Sequence, residues 1–501
     1  MNQAMLRWKK WWAIGMVLLL SVPLLAACGK GNAKEEDQER VLRIASTFDY
    51  GSNSDYLRTN FTDIFEFTHP NVKLEFVPLQ EDGYQYKQLN PGERPKDPLD
   101  LLREVMDGAN PPDLIISNGD EIRDLVAENR FAPLDPLITK DKLDLSEFVP
   151  AVIEGLKKLS TDGQLYALAP MFSASALIYN EQIFEDAGVG YPTDNMTWDQ
   201  MFDLAKRVAN PEKNIYGFSF NRYVYSDPFN DLMQYTAPLN LRVFDEAGEH
   251  MTVDTDQWAN AWEKIISLVN EKVIPGQQDQ QEMMKMAAGE GRPGPFSYDN
   301  FLSGRVAMTI IQNGELNDLI NANKAITAGS IENMDPIRWN LVTVPTHPDN
   351  PQVGGNIWYN GVMSIAANAQ NKDDAWELIK FINSEKWMQL KAESSYNLVA
   401  RKQLNKPKEG LDYNIDAFFA LTPVENPYNN KIFRDKPNIW QAQNIGQSKF
   451  MEALQGQKSV KQALGEWQSE GNVILQKIKE NPDAPPEAVI MGKNKTSVIA
   501  R

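Results

Sequence analysis

The chain has 501 residues, with 50 Lys and Arg against 68 Asp and Glu, so its formal net charge is −18. Nucleic acid is therefore not expected as a partner, because binding it requires clustered positive charge. The only cysteine is Cys28, which excludes an internal disulfide. The histidines His69, His250 and His347 are far apart and lack the spacing of a zinc-binding helix, so we predict no metal site and no cofactor.

The first 27 residues are predicted to be a lipoprotein signal peptide. A basic start precedes an apolar run over 11–27, which is the pattern of a secretory signal. The sequence Leu-Ala-Ala-Cys at 25–28 resembles the bacterial lipobox, in which a lipid is attached to the cysteine and cleavage makes it the first residue. The alternative is a transmembrane anchor, since about 20 apolar residues span a bilayer. Pro23 and the small residues before Cys28 favour cleavage.

The mature chain is predicted to be acidic and tethered. Cleavage after residue 27 leaves 474 residues with 47 basic and 68 acidic side chains, a balance of −21. Residues 28–40 are rich in Gly, Lys, Glu and Asp and cannot bury enough apolar surface to fold. We therefore predict a flexible tether, a lipid on Cys28, and a location on the extracellular face of the cell membrane.

Elements along the rest of the chain favour an α/β protein with parallel strands. Strands are predicted at 41–47, 72–79, 114–117, 215–220, 308–311 and 362–366. Helices are predicted at 56–67 with Ser54 as N-cap, 99–106 ending at Gly108, 198–208 capped by Thr197, 256–270, 373–383 and 460–479. A polar insert over 81–98 and a tail over 481–501 complete the chain.

Several segments, taken in order, resemble the family 1 extracellular solute-binding proteins of ABC importers, which are similar to maltose-binding protein. They are NPPDLII at 110–116, FAPLDPLI at 131–138, DGQLYALAP at 162–170, LIYNEQIFEDAG at 177–188, TWDQM at 197–201, FLSGRVAMTI at 301–310 and AWELIKFINS at 375–384. The resemblance implies an α/β, two-lobe periplasmic-binding-protein-like fold with the ligand cleft between the lobes. It places lobe 1 at 41–176 with 345–400, and lobe 2 at 177–344 with 401–480.

Aromatic residues divide into core and candidate ligand contacts. Trp198, Trp262 and Trp376 lie at helical apolar spacing and are predicted to be buried. Trp358 lies within a glycine-led turn at 354–360, and Trp440 lies where the resemblance implies that a late helix approaches the cleft from the second lobe. Both are predicted to stack on a ligand, with packing at the lobe surface as the alternative. Tyr359 and Asn356 flank Trp358 and are predicted to join it in the site.

Strand ends supply the remaining candidates, because open α/β sheets bind ligands at the carboxyl ends of their strands. By the family template, the predicted ligand contacts are Asp49, Asn118, Asp120, Ser173, Asn221, Arg222, Tyr223, Asn313 and Glu315. The chain departs from the maltose-binding pattern, which carries an aromatic residue near Glu315.

The predicted function is capture of a mono- or oligosaccharide and delivery to the permease subunits of an importer, by a monomer that has no catalytic residues. Lipid tethering suits a Gram-positive source. The alternatives are a secreted lipoprotein glycoside hydrolase, which needs only two carboxylates, a ligand-sensing partner of a membrane kinase, and a receptor for a cationic solute such as a polyamine. The last alternative rests on Asp49, Asp120 and Glu315.

Overall fold

The computed structural model describes residues 39–47, 54–80, 96–119, 121–224, 227–287, 295–394, 397–424, 428 and 431–482. The predictions for the signal peptide, Cys28, Asp49, Asp120, the part of the insert over 81–95 and the tail beyond residue 482 lie outside these residues.

The first sheet has the strand order β2-β1-β3-β8. β1 (Arg40–Ser46) pairs in parallel with β2 (Val72–Phe76) and β3 (Leu114–Ser117). β8 (Val362–Ile365) returns antiparallel to β3, with Ser117 opposite Val362. β2 alternates buried and exposed residues, as a strand with one covered face does, whereas every residue of β3 is buried because it lies in the middle of the sheet.

The second sheet is built around β4 (Met171–Asn180), and its strands are antiparallel. β5 (Met308–Gln312) and β6 (Trp339–Val342) flank its second half. β7 (Ile357–Asn360) and β9 (Leu398–Val399) pair with its first residues. The prediction of parallel strands is therefore right for three strands of the first sheet and wrong for the second.

Helices cover both sheets. In chain order they are α1 in three segments, Asp55–Leu57, the π-helical Arg58–Thr62 and Asp63–Thr68; α2 Pro98–Met106; α3 Ile122–Ala127; α4 Asp135–Asp141; α5 Pro150–Lys157; α6 Glu181–Ala187; α7 Trp198–Val208; α8 Pro228–Thr236; α9 Asp256–Asn270; α10 Gln277–Ala287; α11 Leu316–Thr327; α12 Lys372–Ile382; α13 Glu385–Ser394; α14 Lys431–Asp435; α15 Trp440–Leu454; and α16 Val460–Glu480.

Helix starts were the best predicted local feature. Thr197 and Gln200 form a capping box at the start of α7, which satisfies two backbone N–H groups that a helix start leaves free. Ser54 was wrongly predicted as a cap, since its backbone is left-handed and its side chain makes no capping bond. Gly108 does not close α2, because Asp107 occupies the C-cap.

Two hydrophobic cores share β4. Ala174, Ala176 and Ile178 point into a core with the first sheet, whereas Leu177 and Tyr179 point into a second core with α7, α9, α15 and α16. This alternation follows from the two-residue period of a strand. The predicted burial of Trp198, Trp262 and Trp376 is confirmed, because their exposed fractions are 4%, 0% and 4%.

Three boundaries differ from prediction. Arg40 belongs to β1 rather than to the tether, and its Nε donates to Asp374 at 2.8 Å. Residues 215–220 make only isolated bridges, to Val306 and Thr309 among others, instead of a strand. Residues 357–360 form strand β7 rather than a turn. Within the described part of the chain, no helix combines the length and apolar character needed to cross a membrane.

Candidate functional site

An exposed tryptophan lies on β7, beside the first residues of β4. Trp358 on β7 lies opposite Ser173 on β4, and residues opposite each other in an antiparallel pair share one face of the sheet. Trp358 is 46% exposed, whereas Ser173 is half-buried. One indole face and one hydroxyl therefore stand side by side at the surface.

Two exposed asparagines lie close to β7. Asn356 is exposed, and its backbone N–H donates to Ser175 Oγ at 3.1 Å. Asn118 is exposed at the carboxyl end of β3. The next residue, Gly119, has φ +100°, and a Cβ there would lie 3.4 Å from the Tyr359 ring, so Asn118 is close to β7. The loop after β3 therefore lies against β7 on the face that carries Tyr359.

Tyr359 does not share that surface. It lies opposite Phe172, on the other face of the strand pair, and packs against the first core. A Cβ at Gly155 on α5 would lie only 1.9 Å from the Tyr359 hydroxyl. Burial raises the pKa of Tyr359. Its predicted ligand contact is corrected to a packing role, because adjacent residues of a strand face opposite ways.

Asn313 is also structural. Its side chain is buried, and Oδ1 accepts the backbone N–H of Ala174 at 2.8 Å. The predicted direct contact with ligand is therefore corrected to a positioning role. This bond joins β4 to the 3₁₀ turn Asn313–Glu315, which precedes α11.

The second group of candidates surrounds a buried cation. The Arg222 side chain is 2% exposed, and its guanidinium lies 2.6 Å from Asp299, 3.7 Å from Glu315 and 3.5 Å from Asp318. Asp299 also accepts the backbone N–H groups of Phe301 and Leu302 at 3.0 and 2.8 Å. Arg222 was predicted as a direct ligand contact, but these bonds make it an internal charge that orders carboxylates.

The carboxylates around Arg222 are held in a partly dry setting. Burial raises the pKa of Glu315 above its usual range, although Glu315 also accepts the N–H of Gln312 at 2.7 Å. Burial likewise raises the pKa of Asp299, and Arg222 opposes that rise. Asp318 is 56% exposed, so it presents its oxygens to solvent beside Glu315.

Tyr223 supplies an aromatic face on this side. It is 41% exposed, and its ring centroid lies 5.2 Å from the Arg222 guanidinium carbon. Asn221 is half-buried and donates to Asp231 at 3.2 Å. Trp440 is 44% exposed as the first residue of α15. In the described residues no contact joins the Trp440 side chain to either group, so its role stays a prediction.

Sequence reasoning missed two exposed tyrosines. Tyr56 is 49% exposed and makes an edge contact with Phe61, which in turn abuts Gly361 at the β7–β8 corner. Tyr298 is 37% exposed, and its carbonyl accepts the N–H of Val224, next to Tyr223. Tyr56 lies within the first segment of α1 rather than directly after β1, so the strand-end rule did not point to it. Tyr298 does not directly follow a predicted strand, so the same rule did not point to it either.

The two groups together offer aromatic faces with hydroxyl, amide and carboxylate groups. Aromatic faces suit flat apolar surfaces of a ligand, and the polar groups donate to or accept from hydroxyls. Among the described residues, no group of three or more His, Cys, Asp or Glu is placed to hold a metal ion. The arrangement is suited to holding a polar, hydroxylated molecule.

A sequence model of the bacterial extracellular solute-binding proteins matches residues 50–389. The chain belongs to this family. The members of this family are binding proteins rather than enzymes. The solute-binding protein is 21% identical over 445 residues to the sn-glycerol-3-phosphate-binding periplasmic protein of Brucella melitensis, covering 82% of this chain and 88% of that one.

Solved structures share the two-lobe fold of the solute-binding protein. A family 1 extracellular solute-binding protein from Alicyclobacillus acidocaldarius has a TM-score of 0.59 at 15% identity, covering 88% of this chain and 99% of that chain. The sugar-binding protein MalE from Xanthomonas citri has a TM-score of 0.57 at 14% identity, covering 88% of this chain and 98% of that chain. At these identities the likeness concerns the fold.

Proposed function

We propose that the protein captures a mono- or oligosaccharide in a cleft between its two lobes and delivers it to the permease of an ABC importer. The observation that carries the proposal is Trp358, an exposed indole flanked by Ser173 and Asn356 where β7 pairs with the first residues of β4. A sugar ring has one apolar face for such an indole and hydroxyls for such partners. MalE of Xanthomonas citri is named as sugar-binding, in agreement with this ligand class.

Lobe 1 is proposed to comprise 41–176 with 345–400, and lobe 2 to comprise 177–344 with 401–480. With these bounds, β4 carries the chain from lobe 1 to lobe 2, since its first residues pair with β7 and its later residues pair with β5. Trp358, Ser173 and Asn118 belong to the lobe 1 side, whereas Tyr223 and Glu315 belong to lobe 2. A ligand that touches both groups favours the closed form, because it binds that form more tightly than the open one.

The ligand class is tested by thermal unfolding with separate additions of maltose, mannobiose, mannitol, sn-glycerol-3-phosphate and spermidine. A ligand at about 100 times its Kd adds roughly 2.7 kcal/mol to the free energy of unfolding. We expect at least one neutral saccharide or polyol to raise the melting temperature.

The second candidate is a cationic solute, which the carboxylates Glu315 and Asp318 beside Tyr223 favour. Stabilisation by spermidine alone would replace the carbohydrate proposal with this one. A response to sn-glycerol-3-phosphate alone would remove both.

We also propose that the protein is a monomer anchored by a lipid on Cys28 at the outer face of a Gram-positive cell membrane, with 1–27 removed. The proposal rests on the sequence at 25–28 and on the charged stretch behind it. Cys28→Ser is expected to release the protein from the membrane fraction, because its lipid attachment site is gone. Ser21→Ala is the matched control and should remain in the membrane fraction. Retention of a processed Cys28→Ser protein in membranes would contradict the anchor.

A further inference from the structure

A cation-rich cavity of about 520 Å³ lies beside α14, on an otherwise acidic protein. Its charged lining is Arg123, Arg242, Lys431, Lys436, Glu246 and Asp435. Four cations against two carboxylates leave an excess of two positive charges. The volume is within the range of small-molecule sites. An excess of one sign in a concave site attracts an ion of the opposite sign.

Arg123 is the least committed of these cations. Its side chain is half-buried on α3, and among the described residues it has neither a carboxylate nor a hydrogen-bond acceptor. A half-buried guanidinium with five N–H donors is poorly satisfied without an acceptor. An oxyanion in the cavity would provide one.

Two of the other cations form ion pairs at the protein surface. Arg242 lies 2.9 Å from Glu246, whose side chain is 81% exposed. Lys431 lies 2.7 Å from Asp435, and both side chains are more than half exposed, at 64% and 55%. Such exposed pairs are screened by water and salt, so an incoming anion competes with them readily. Lys436 donates to the carbonyls of Ala247 and Gly248.

The cavity is lined by residues from two parts of the fold, helix α3 beside the first sheet and the segments that pack on the second core. Arg123 lies on α3, after the third strand of the first sheet, whereas Arg242 and Lys431 pack with the second core through Tyr428 and Ile432. Immediately beside Arg123, Asp124 forms an ion pair with Arg434 on α14, and these side chains are only 10% and 21% exposed. The cavity walls are thus held together by a largely buried contact.

We propose that this cavity is an oxyanion site, which binds a carboxylate or phosphate group between Arg123 of α3 and Arg242 and Lys431 opposite. Guanidinium groups donate two parallel N–H bonds to such oxygens, which makes Arg better suited than Lys to this task. The group can belong to an acidic sugar or to a phosphate. This inference goes beyond the capture of a neutral sugar at Trp358 and does not depend on it.

The test is calorimetric titration of the full-length protein with inorganic phosphate, with D-glucuronate and with neutral D-glucose. We expect one or both anions to bind, the affinity to fall as NaCl is raised, and Arg123→Gln to weaken binding about tenfold, the loss expected when a charge-assisted hydrogen bond is removed. Arg242→Gln provides a second variant with the same expectation. Arg338→Gln is the control, because Arg338 pairs with Glu185 on α6, away from this cavity.

Comparison of the phosphate and D-glucuronate titrations shows which kind of molecule carries the bound oxyanion. An effect of Arg123→Gln on D-glucuronate alone assigns the site to acidic sugars, and an effect on phosphate alone assigns it to phosphate or its esters. Failure of both anions to bind, or binding that neither arginine variant changes, overturns the oxyanion site. Neutral-sugar binding that depends on Trp358 and not on Arg123 bears only on the proposed function.

Discussion

Asp299→Ala is expected to lower the free energy of unfolding by about 3 kcal/mol, the lower end of the cost of breaking a buried ion pair. The Arg222 side chain is 2% exposed and stays charged, so the variant buries a cation that has lost its nearest carboxylate. The backbone N–H groups of Phe301 and Leu302 lose their acceptor as well. The cost stays near the lower end because Glu315 and Asp318 remain within 4.0 Å of Arg222. Urea unfolding measures the change.

Asp318→Ala is the matched control for that experiment. It removes a carboxylate that lies 3.5 Å from the same guanidinium but is 56% exposed. Exposed pairs contribute about 0–1 kcal/mol, so the urea midpoint should shift only slightly. Equal losses in the two variants would show that Asp299 is not the partner that keeps Arg222 buried.

Trp358→Ala is expected to weaken binding of the saccharide found by thermal unfolding about tenfold or more, while changing stability little. A stacked aromatic contributes about 0.5–1.5 kcal/mol beyond its buried area, and the indole's area is lost too. Trp358 is 46% exposed and leaves no closed cavity when truncated. Titration of the variant with the saccharide gives the affinity, and urea unfolding gives the stability.

Trp262→Ala provides the opposite control. Trp262 is fully buried and stacks on Trp467 in the second core, with ring centroids 5.8 Å apart. Its truncation should cost about 3–5 kcal/mol of stability, with little change in affinity for the molecules that remain folded. A Trp358→Ala variant that loses stability like Trp262→Ala, yet binds normally, would remove Trp358 from the site.

Features set by neighbouring residues were predictable from the sequence. The start of α7 needs only Thr197 and Gln200, three residues apart, and it begins where predicted. β3 was found because a short apolar run between turn residues predicts a buried strand. Trp358 was singled out for lacking core spacing and Trp440 from the family resemblance, and both are exposed.

Features set by distant partners were not predictable. Gly355 does turn the chain, with φ +71°, but the residues after it form a strand because β4 lies alongside. The contact between Asn356 and Ser175 joins residues 181 apart in the chain. Because the sequence did not predict strand β7, it gave no indication that Trp358 and Tyr359 face opposite sides of a sheet. Arg222 likewise looked like a ligand contact because Asp299, its partner, is 77 residues further along.

β4 is shared by both cores, and this limits how the protein can come apart. Ala176 and Ile178 belong to one core, and Leu177 between them belongs to the other. If either core unfolds and β4 detaches from it, apolar side chains of the other core also become exposed to water. We therefore expect the protein to melt as a single cooperative unit, and a chain severed within β4 to leave two fragments that cannot fold alone.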